Sequence, residues 1–68
     1  MASTAPQLDA GNLKILQDQL YYEALMNKKG VDYAQYCDDQ QLKTLCNTIA
    51  RGHKQNYEVL LSYLNSHQ

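Results

Sequence analysis

Residues 37–43, CDDQQLK, decide how this chain of 68 residues folds. Asp38 and Asp39 end a long stretch of periodic apolar residues. An aspartate N-cap followed three residues later by Gln41 is typical of a capping box at the start of a helix. We therefore predict that one helix ends at about residue 37 and that a second begins at about residue 40. A connection this short brings consecutive helices side by side in antiparallel orientation.

The apolar residues on both sides of this connection recur at helical spacing. Before it, the stripe is Leu13, Leu16, Leu20, Ala24, Val31 and Ala34, and after it the stripe is Leu42, Cys46, Ile49, His53, Tyr57, Leu60 and Leu64. Steps of three, four and seven predict helices over about 12–37 and 40–65. Residues 1–11 are small and polar and contain Pro6, so we expect a disordered tail before a single helical-hairpin domain at 12–66.

Glu23 and His53 are the candidate site residues. An antiparallel hairpin centred on Asp38 places them opposite each other. Glu23 has no Lys or Arg four residues away, so it lacks the usual helical ion pair. Three interpretations follow: a hydrogen bond inside a packed core, a solvent-exposed Glu23, or a metal site. In a symmetric dimer, two carboxylates and two imidazoles would meet, and zinc or iron are the ions that such a set would hold.

Gly30 and the two cysteines bear on packing and catalysis. Gly30 lies opposite Cys46, which is consistent with a close helix crossing or with a surface glycine that merely lowers helicity. Cys46 and His53 are about 10.5 Å apart along one helix, too far for a nucleophile and its base. Cys37 is placed far from Cys46, so we expect no intrachain disulfide. We predict no catalytic residues and no enzyme activity.

Charge and hydropathy exclude several classes of partner. Six basic and seven acidic residues give a net charge of −1 without a basic stripe, so we expect no nucleic-acid binding. The N-terminus lacks a signal-peptide pattern, and no apolar run approaches the ~20 residues of a membrane span. We therefore expect a cytoplasmic protein with reduced cysteines and no membrane association.

A second apolar face on the first helix predicts self-association. Its residues are Tyr22, Leu25, Met26, Tyr33 and Tyr36. One hairpin cannot cover both faces, and a chain of this size needs further burial for stability. Two hairpins forming a four-helix bundle, as a homodimer, would supply it. A different helical protein docking on the same face is the alternative.

The run from Leu13 to Asn65, LKILQDQLYYEALMNKKGVDYAQYCDDQQLKTLCNTIARGHKQNYEVLLSYLN, resembles the small ferritin-like proteins of spore-forming Firmicutes that are grouped with spore coat F proteins. The likeness lies in a glutamate in the middle of the first helix, an Asp-rich turn ending in Q-L-K, and a histidine in the middle of the second helix. It implies a ferritin-like half-bundle, with Glu23 matching the first glutamate of the iron site and His53 its histidine.

The chain departs from the ferritin-like pattern at Ala50, which stands where the glutamate of Glu-x-x-His would fall. That departure removes two carboxylates from a dimeric site. The resemblance therefore implies the fold and a role in the spore or its coat, but neither oxidase activity nor iron storage. Our main functional hypothesis is a non-enzymatic structural or interaction protein without a cofactor, able to contact other coat or helical proteins. The alternative is a metal-binding protein that uses Glu23 and His53 across a dimeric bundle.

Overall fold

The chain forms two α-helices that pack together as a helical hairpin. This architecture comes from a computed structural model that describes residues 8–67. Helix α1 spans Ala10–Tyr36 and helix α2 spans Gln40–Ser66, and each has 27 residues. No strand occurs over residues 8–67. The predicted all-α fold class is confirmed.

Helix α1 begins two residues earlier than predicted because Asp9 caps it. The Asp9 carboxylate accepts a hydrogen bond from the backbone N–H of Asn12 at 2.8 Å, which satisfies one of the N–H groups left unpaired at a helix start. Residues 10 and 11, expected to belong to the disordered tail, are therefore helical. Residues 1–7 of that predicted tail lie outside the described part of the chain.

The connection between the helices consists of residues 37–39. At its start, the Cys37 N–H donates to the Ala34 carbonyl at 3.4 Å. At its end, the Asp39 carboxylate accepts from the Leu42 N–H at 2.9 Å, so the N-cap of α2 is Asp39. The predicted capping box on Asp38 and Gln41 is wrong by one position, because the two adjacent aspartates carry the same capping signal in the sequence.

The residues that face the opposite helix form what we call the inner seam. On α1 and its cap they are Leu13, Leu16, Leu20, Glu23, Asn27, Gly30, Ala34 and Cys37; on α2 and its cap they are Lys43, Cys46, Ala50, His53, Tyr57, Leu60, Leu64 and His67. All of them are buried or half-buried, and they alternate steps of three and four. Such spacing keeps one stripe facing a neighbouring helix over many turns.

The inner seam corrects four positions of the predicted stripes. Ala24 and Val31 on α1 are exposed, as are Leu42 and Ile49 on α2. Smaller or more polar residues occupy the seam at those levels. The sequence pattern favours the more hydrophobic residue at each level of the helix. In the hairpin, the residues between the helices are those that let the helices approach each other.

The closest approach of the helices is at Gly30 and Ala50. A Cβ added at Gly30 would lie 2.8 Å from the Ala50 Cβ and 3.3 Å from the Cys46 carbonyl oxygen. Real side chains do not tolerate the first distance, so glycine is needed here for the helices to pack. Of the two interpretations of Gly30, the close helix crossing is the one present, and Ala50 is its nearest partner. This crossing lies close to the candidate site.

Candidate functional site

Glu23 and His53 form the central polar contact between the two helices. His53 Nδ1 lies 2.5 Å from Glu23 Oε1, and the two side chains are 24% and 8% exposed. Glu23 is the one buried charged residue of residues 8–67. The pairing predicted from the sequence is therefore confirmed, and the interpretation of Glu23 as a solvent-exposed residue is wrong.

Neighbouring side chains hold this pair in place. The Tyr22 ring meets the His53 ring edge-on, with centroids 6.0 Å apart and planes at 86°. One turn further along α1, the Asn27 side-chain amide donates to the Ala50 carbonyl at 2.8 Å. Across residues 8–67, every buried side-chain nitrogen or oxygen has a hydrogen-bond partner. The polar interior is satisfied within one hairpin, as buried polar groups in folded proteins generally are.

In one hairpin, Glu23 and His53 are the two side chains at this site that could bind a metal ion. No group of three or more His, Cys, Asp or Glu side chains suited to a metal ion occurs among residues 8–67. Structural zinc sites normally use four protein ligands and catalytic ones three. The Glu23–His53 pair alone is therefore an incomplete metal site.

Ala50 occupies the position where a Glu-x-x-His motif would have its glutamate. Its side chain is only 1% exposed and packs against the backbone at Gly30. A glutamate at position 50 would place a carboxylate in the narrowest part of the inner seam, where neither space nor solvation is present. The crossing geometry therefore disfavours the complete Glu-x-x-His motif in this hairpin.

Two neighbouring depressions lie between the helices beside Glu23. One is lined by Gln19, Glu23, Asn56, Val59 and Leu60. Its neighbour, towards the open end of the hairpin, is lined by Leu8, Asn12, Ile15, Leu16, Gln19, Leu60 and Tyr63. Apolar residues from both helices thus line these two depressions.

The two cysteines interact, contrary to the prediction that they lie far apart. The Cys46 thiol lies near enough to Cys37 to affect its ionisation, and both residues are half-buried with free thiols. Partial burial raises the pKa of the Cys37 thiol, the contact with Cys46 raises it further, and nearby Lys43 partly offsets these effects. The simple pairing rule fails here because Cys37 lies beyond the helix, with an extended backbone that the rule does not describe.

Several contacts around the site were missed by sequence reasoning. The Asn27 amide and the Ala50 carbonyl were not predicted to meet, and Tyr22 was assigned only to the second apolar face. A usable signal was present for the first contact. Asn27 and Ala50 both follow the step-three, step-four spacing that contains Glu23 and His53.

Neither α1 nor α2 is long and apolar enough to cross a membrane, over the residues that the structure describes. Comparisons with models of known protein families, with curated proteins and with solved structures give no significant match.

Proposed function

We propose that this chain is a non-enzymatic structural or interaction protein, an antiparallel helical hairpin that self-associates into a homodimeric four-helix bundle. The observation that carries the proposal is the balance of apolar burial. Within residues 8–67, the buried apolar residues are Leu16, Ala34 and Ala50, whereas twelve large apolar side chains are 36–82% exposed. Soluble monomers rarely leave such a large share of their apolar surface in water.

The antiparallel orientation is supported by the contacts between the helices. Glu23 contacts His53, and Asn27 contacts Ala50, so residue numbers fall on one helix as they rise on the other. The connection over residues 37–39 is too short for any long crossover. Both observations fit two neighbouring helices of one bundle.

Dimerisation is supported by the small core. Domains below about 70 residues rarely gain enough stability from a single core, and oligomerisation is a common solution. The inner seam places Glu23, Asn27 and Gly30 where a larger bundle would place leucine or isoleucine. A second hairpin would add the apolar burial that this seam lacks.

Size-exclusion chromatography with light scattering tests the proposal, with metal content measured on the same peak. A dimer of twice the 7.8 kDa chain mass is expected, and it should persist at micromolar concentration. A chain that remains monomeric and folded at millimolar concentration would overturn self-association.

The cellular role that we propose follows the resemblance to small ferritin-like spore coat proteins. The resemblance covers Leu13 to Asn65, and its Asp-rich turn and Glu23–His53 pair are used structurally in this hairpin. The protein would be cytoplasmic or would lie in the spore coat, where it would contact other copies or other helical coat proteins. Fractionation of spores from a producing cell, followed by immunodetection, tests this role. Detection in vegetative cells alone would count against it.

Metal binding through Glu23 and His53 is the second candidate function. It is supported by a buried carboxylate and imidazole in contact, beside depressions that a second hairpin would cover. Two copies would bring four such groups together, the number that a zinc or iron site requires. Elemental analysis after purification without chelators should then find about one metal ion per dimer, and this metal should be absent in His53→Ala. A metal-free dimer with unchanged affinity for added zinc in His53→Ala would eliminate this function.

A further inference from the structure

We propose that the second copy packs on one defined face of the hairpin, which we call the outer seam. On α1 its residues are Ile15, Gln19, Tyr22, Met26, Lys29, Tyr33 and Tyr36; on α2 they are Leu42, Leu45, Ile49, Gly52, Asn56, Val59 and Tyr63. This inference rests on the proposed self-association and specifies its surface. The opposite face of the hairpin would remain in water.

The helical positions place both halves of the outer seam on one side. Each outer-seam residue immediately precedes an inner-seam residue, on α1 as on α2. One residue corresponds to a rotation of about 100° around a helix. On helices that run in opposite directions, equal rotations of this sense lead to the same side of the pair. The two halves therefore form one continuous face.

Contacts in the structure agree with this placement. Ile15 of α1 and Tyr63 of α2 line the same depression, and Gln19 lines a second one with Val59. At mid-length, the outer-seam residue Tyr22 contacts the inner-seam residue His53 from this side. The outer seam thus borders two depressions between the helices, in the half of the hairpin that lies towards its open end.

The exposed apolar side chains are concentrated on this face. Of the twelve large ones, nine belong to the outer seam: Ile15, Tyr22, Tyr33, Tyr36, Leu42, Leu45, Ile49, Val59 and Tyr63. Their exposures range from 47% to 82%. An apolar face on this scale marks an interaction surface.

Charge separates the outer seam from the opposite face. The outer seam contains one charged residue, Lys29. The residues that immediately follow inner-seam positions form the opposite face, and its charged members are Lys14, Lys28, Asp38, Arg51, Lys54 and Glu58. Lys14 and Lys28 are there engaged in exposed ion pairs with Asp18 and Asp32. Depletion of charge distinguishes the core of a protein interface from ordinary surface.

Gly52 is a separate observation that points to a partner. No heavy atom lies within 4 Å of the place where its Cβ would be, so the hairpin itself gives no reason for a glycine. Glycine in a helix interior is destabilising relative to alanine. A helix of a second copy approaching the outer seam closely at Gly52 would provide the missing reason.

A second copy fits this face in size and chemistry. Two helices about 40 Å long and about 10 Å wide present a face of roughly 800 Å². A standard stable interface uses about 800 Å² from each partner. The partner must offer two adjacent, nearly uncharged seams of the same length, and this chain offers them, since both helices have 27 residues. Two-fold symmetry then makes the face self-complementary.

Lysine substitutions on the two faces of α2 test the inference. In Ile49→Lys, the outer seam acquires a charge at a residue that is 58% exposed in the hairpin, while the matched control Leu61→Lys changes the opposite face at a residue 36% exposed. Light scattering over a concentration series gives the dimer dissociation constant. We expect Ile49→Lys to raise it about 100-fold or more, because symmetry introduces the charge twice, and Leu61→Lys to change it less than about threefold.

The outcomes distinguish this inference from the proposed function. A monomeric wild-type chain overturns self-association and, with it, the interface. A wild-type dimer that Leu61→Lys dissociates, or that Ile49→Lys leaves intact, overturns the outer seam alone. If Ile49→Lys lowers helicity, Val59→Lys is used in its place. The dependence of the melting temperature on protein concentration is then measured instead of the dissociation constant. In Leu61→Lys, the change of melting temperature with protein concentration should match that of the wild type. In Val59→Lys, the melting temperature should be lower than that of the wild type at every protein concentration. The reverse pattern overturns the inference.

Discussion

The inner and outer seams each contain one glycine, Gly30 and Gly52, so the two seams can be compared at the same residue type. At Gly30, a Cβ would meet the Ala50 Cβ at 2.8 Å, whereas at Gly52 it would meet nothing within 4 Å. The first glycine is explained by the packing of one hairpin, and the second is not. The proposed interface on the outer seam would give Gly52 the close neighbour that the hairpin does not provide.

The two seams also differ in the size of their side chains. The inner seam places Gly30, Ala34 and Ala50 at the close crossing, so the helices approach each other while burying little apolar area. The outer seam has the larger residues, including Tyr22, Tyr33 and Ile49. The close packing within the hairpin and the large exposed apolar side chains thus lie on different stripes of the same helices.

The largest expected effect comes from Ala50→Glu, which introduces a Glu-x-x-His pattern at the narrowest point of the inner seam. We expect the free energy of unfolding to fall by more than about 4 kcal/mol, because a carboxylate would be buried without space or partner. Circular dichroism during urea titration measures the loss. Ala24→Glu, at an exposed position of α1, is the matched control and should change stability by less than about 0.5 kcal/mol. A stable, fully helical Ala50→Glu protein would contradict the close crossing.

His53→Ala should have the next largest effect. It removes the partner of the buried Glu23 carboxyl group, and hydrogen bonds to charged groups contribute about 1.5–3 kcal/mol. We expect a loss of about 2–3 kcal/mol, measured by urea denaturation in the presence of chelator so that metal plays no part. Lys54→Ala, at the adjacent exposed position, controls for loss of a side chain. Equal stability of the two variants would show that the pair contributes nothing to the inner seam.

Alanine at the two glycines should change stability in opposite directions. Gly30→Ala gains about 1 kcal/mol of helix propensity but incurs an overpacking cost of about 1–3 kcal/mol against Ala50, so a net loss of about 1 kcal/mol is expected. Gly52→Ala should stabilise the isolated hairpin by up to about 1 kcal/mol. Urea midpoints at low protein concentration, where dimers dissociate, measure both. Changes of the same sign would remove the distinction between the seams.

The smallest effect is on Cys37, where reactivity changes but the fold does not. Because burial and the Cys46 contact raise the pKa of the Cys37 thiol, less thiolate is present at pH 8 than in an unstructured peptide. Alkylation of Cys37 by iodoacetamide should therefore be slower than that of a peptide cysteine. Cys46→Ala removes one cause and should accelerate it, as measured by mass spectrometry. An unchanged rate in Cys46→Ala would show that the two side chains do not interact.

Some features of the hairpin were predictable because they depend on residues close in the chain. The aspartates at 38 and 39 interrupt the apolar pattern, and one of them caps α2. The Glu23–His53 contact was predictable as well, because a short connection leaves little freedom in how two long helices are aligned. The exact cap and the beginning of α1 were not, since adjacent aspartates and a short polar segment carry similar local signals.

By itself, the sequence determined two helices, their approximate ends and the level at which Glu23 meets His53, because helix periodicity, capping and a short turn are local properties. Only the tertiary structure decided that Ala50 replaces Ile49 on the inner seam and that Cys37 reaches Cys46. Both depend on how closely the helices approach each other, which Gly30 sets across the hairpin. The two seams differ by one residue along each helix. The hydrophobicity of the sequence does not show which of the two stripes faces the other helix, because that depends on the steric fit between the helices.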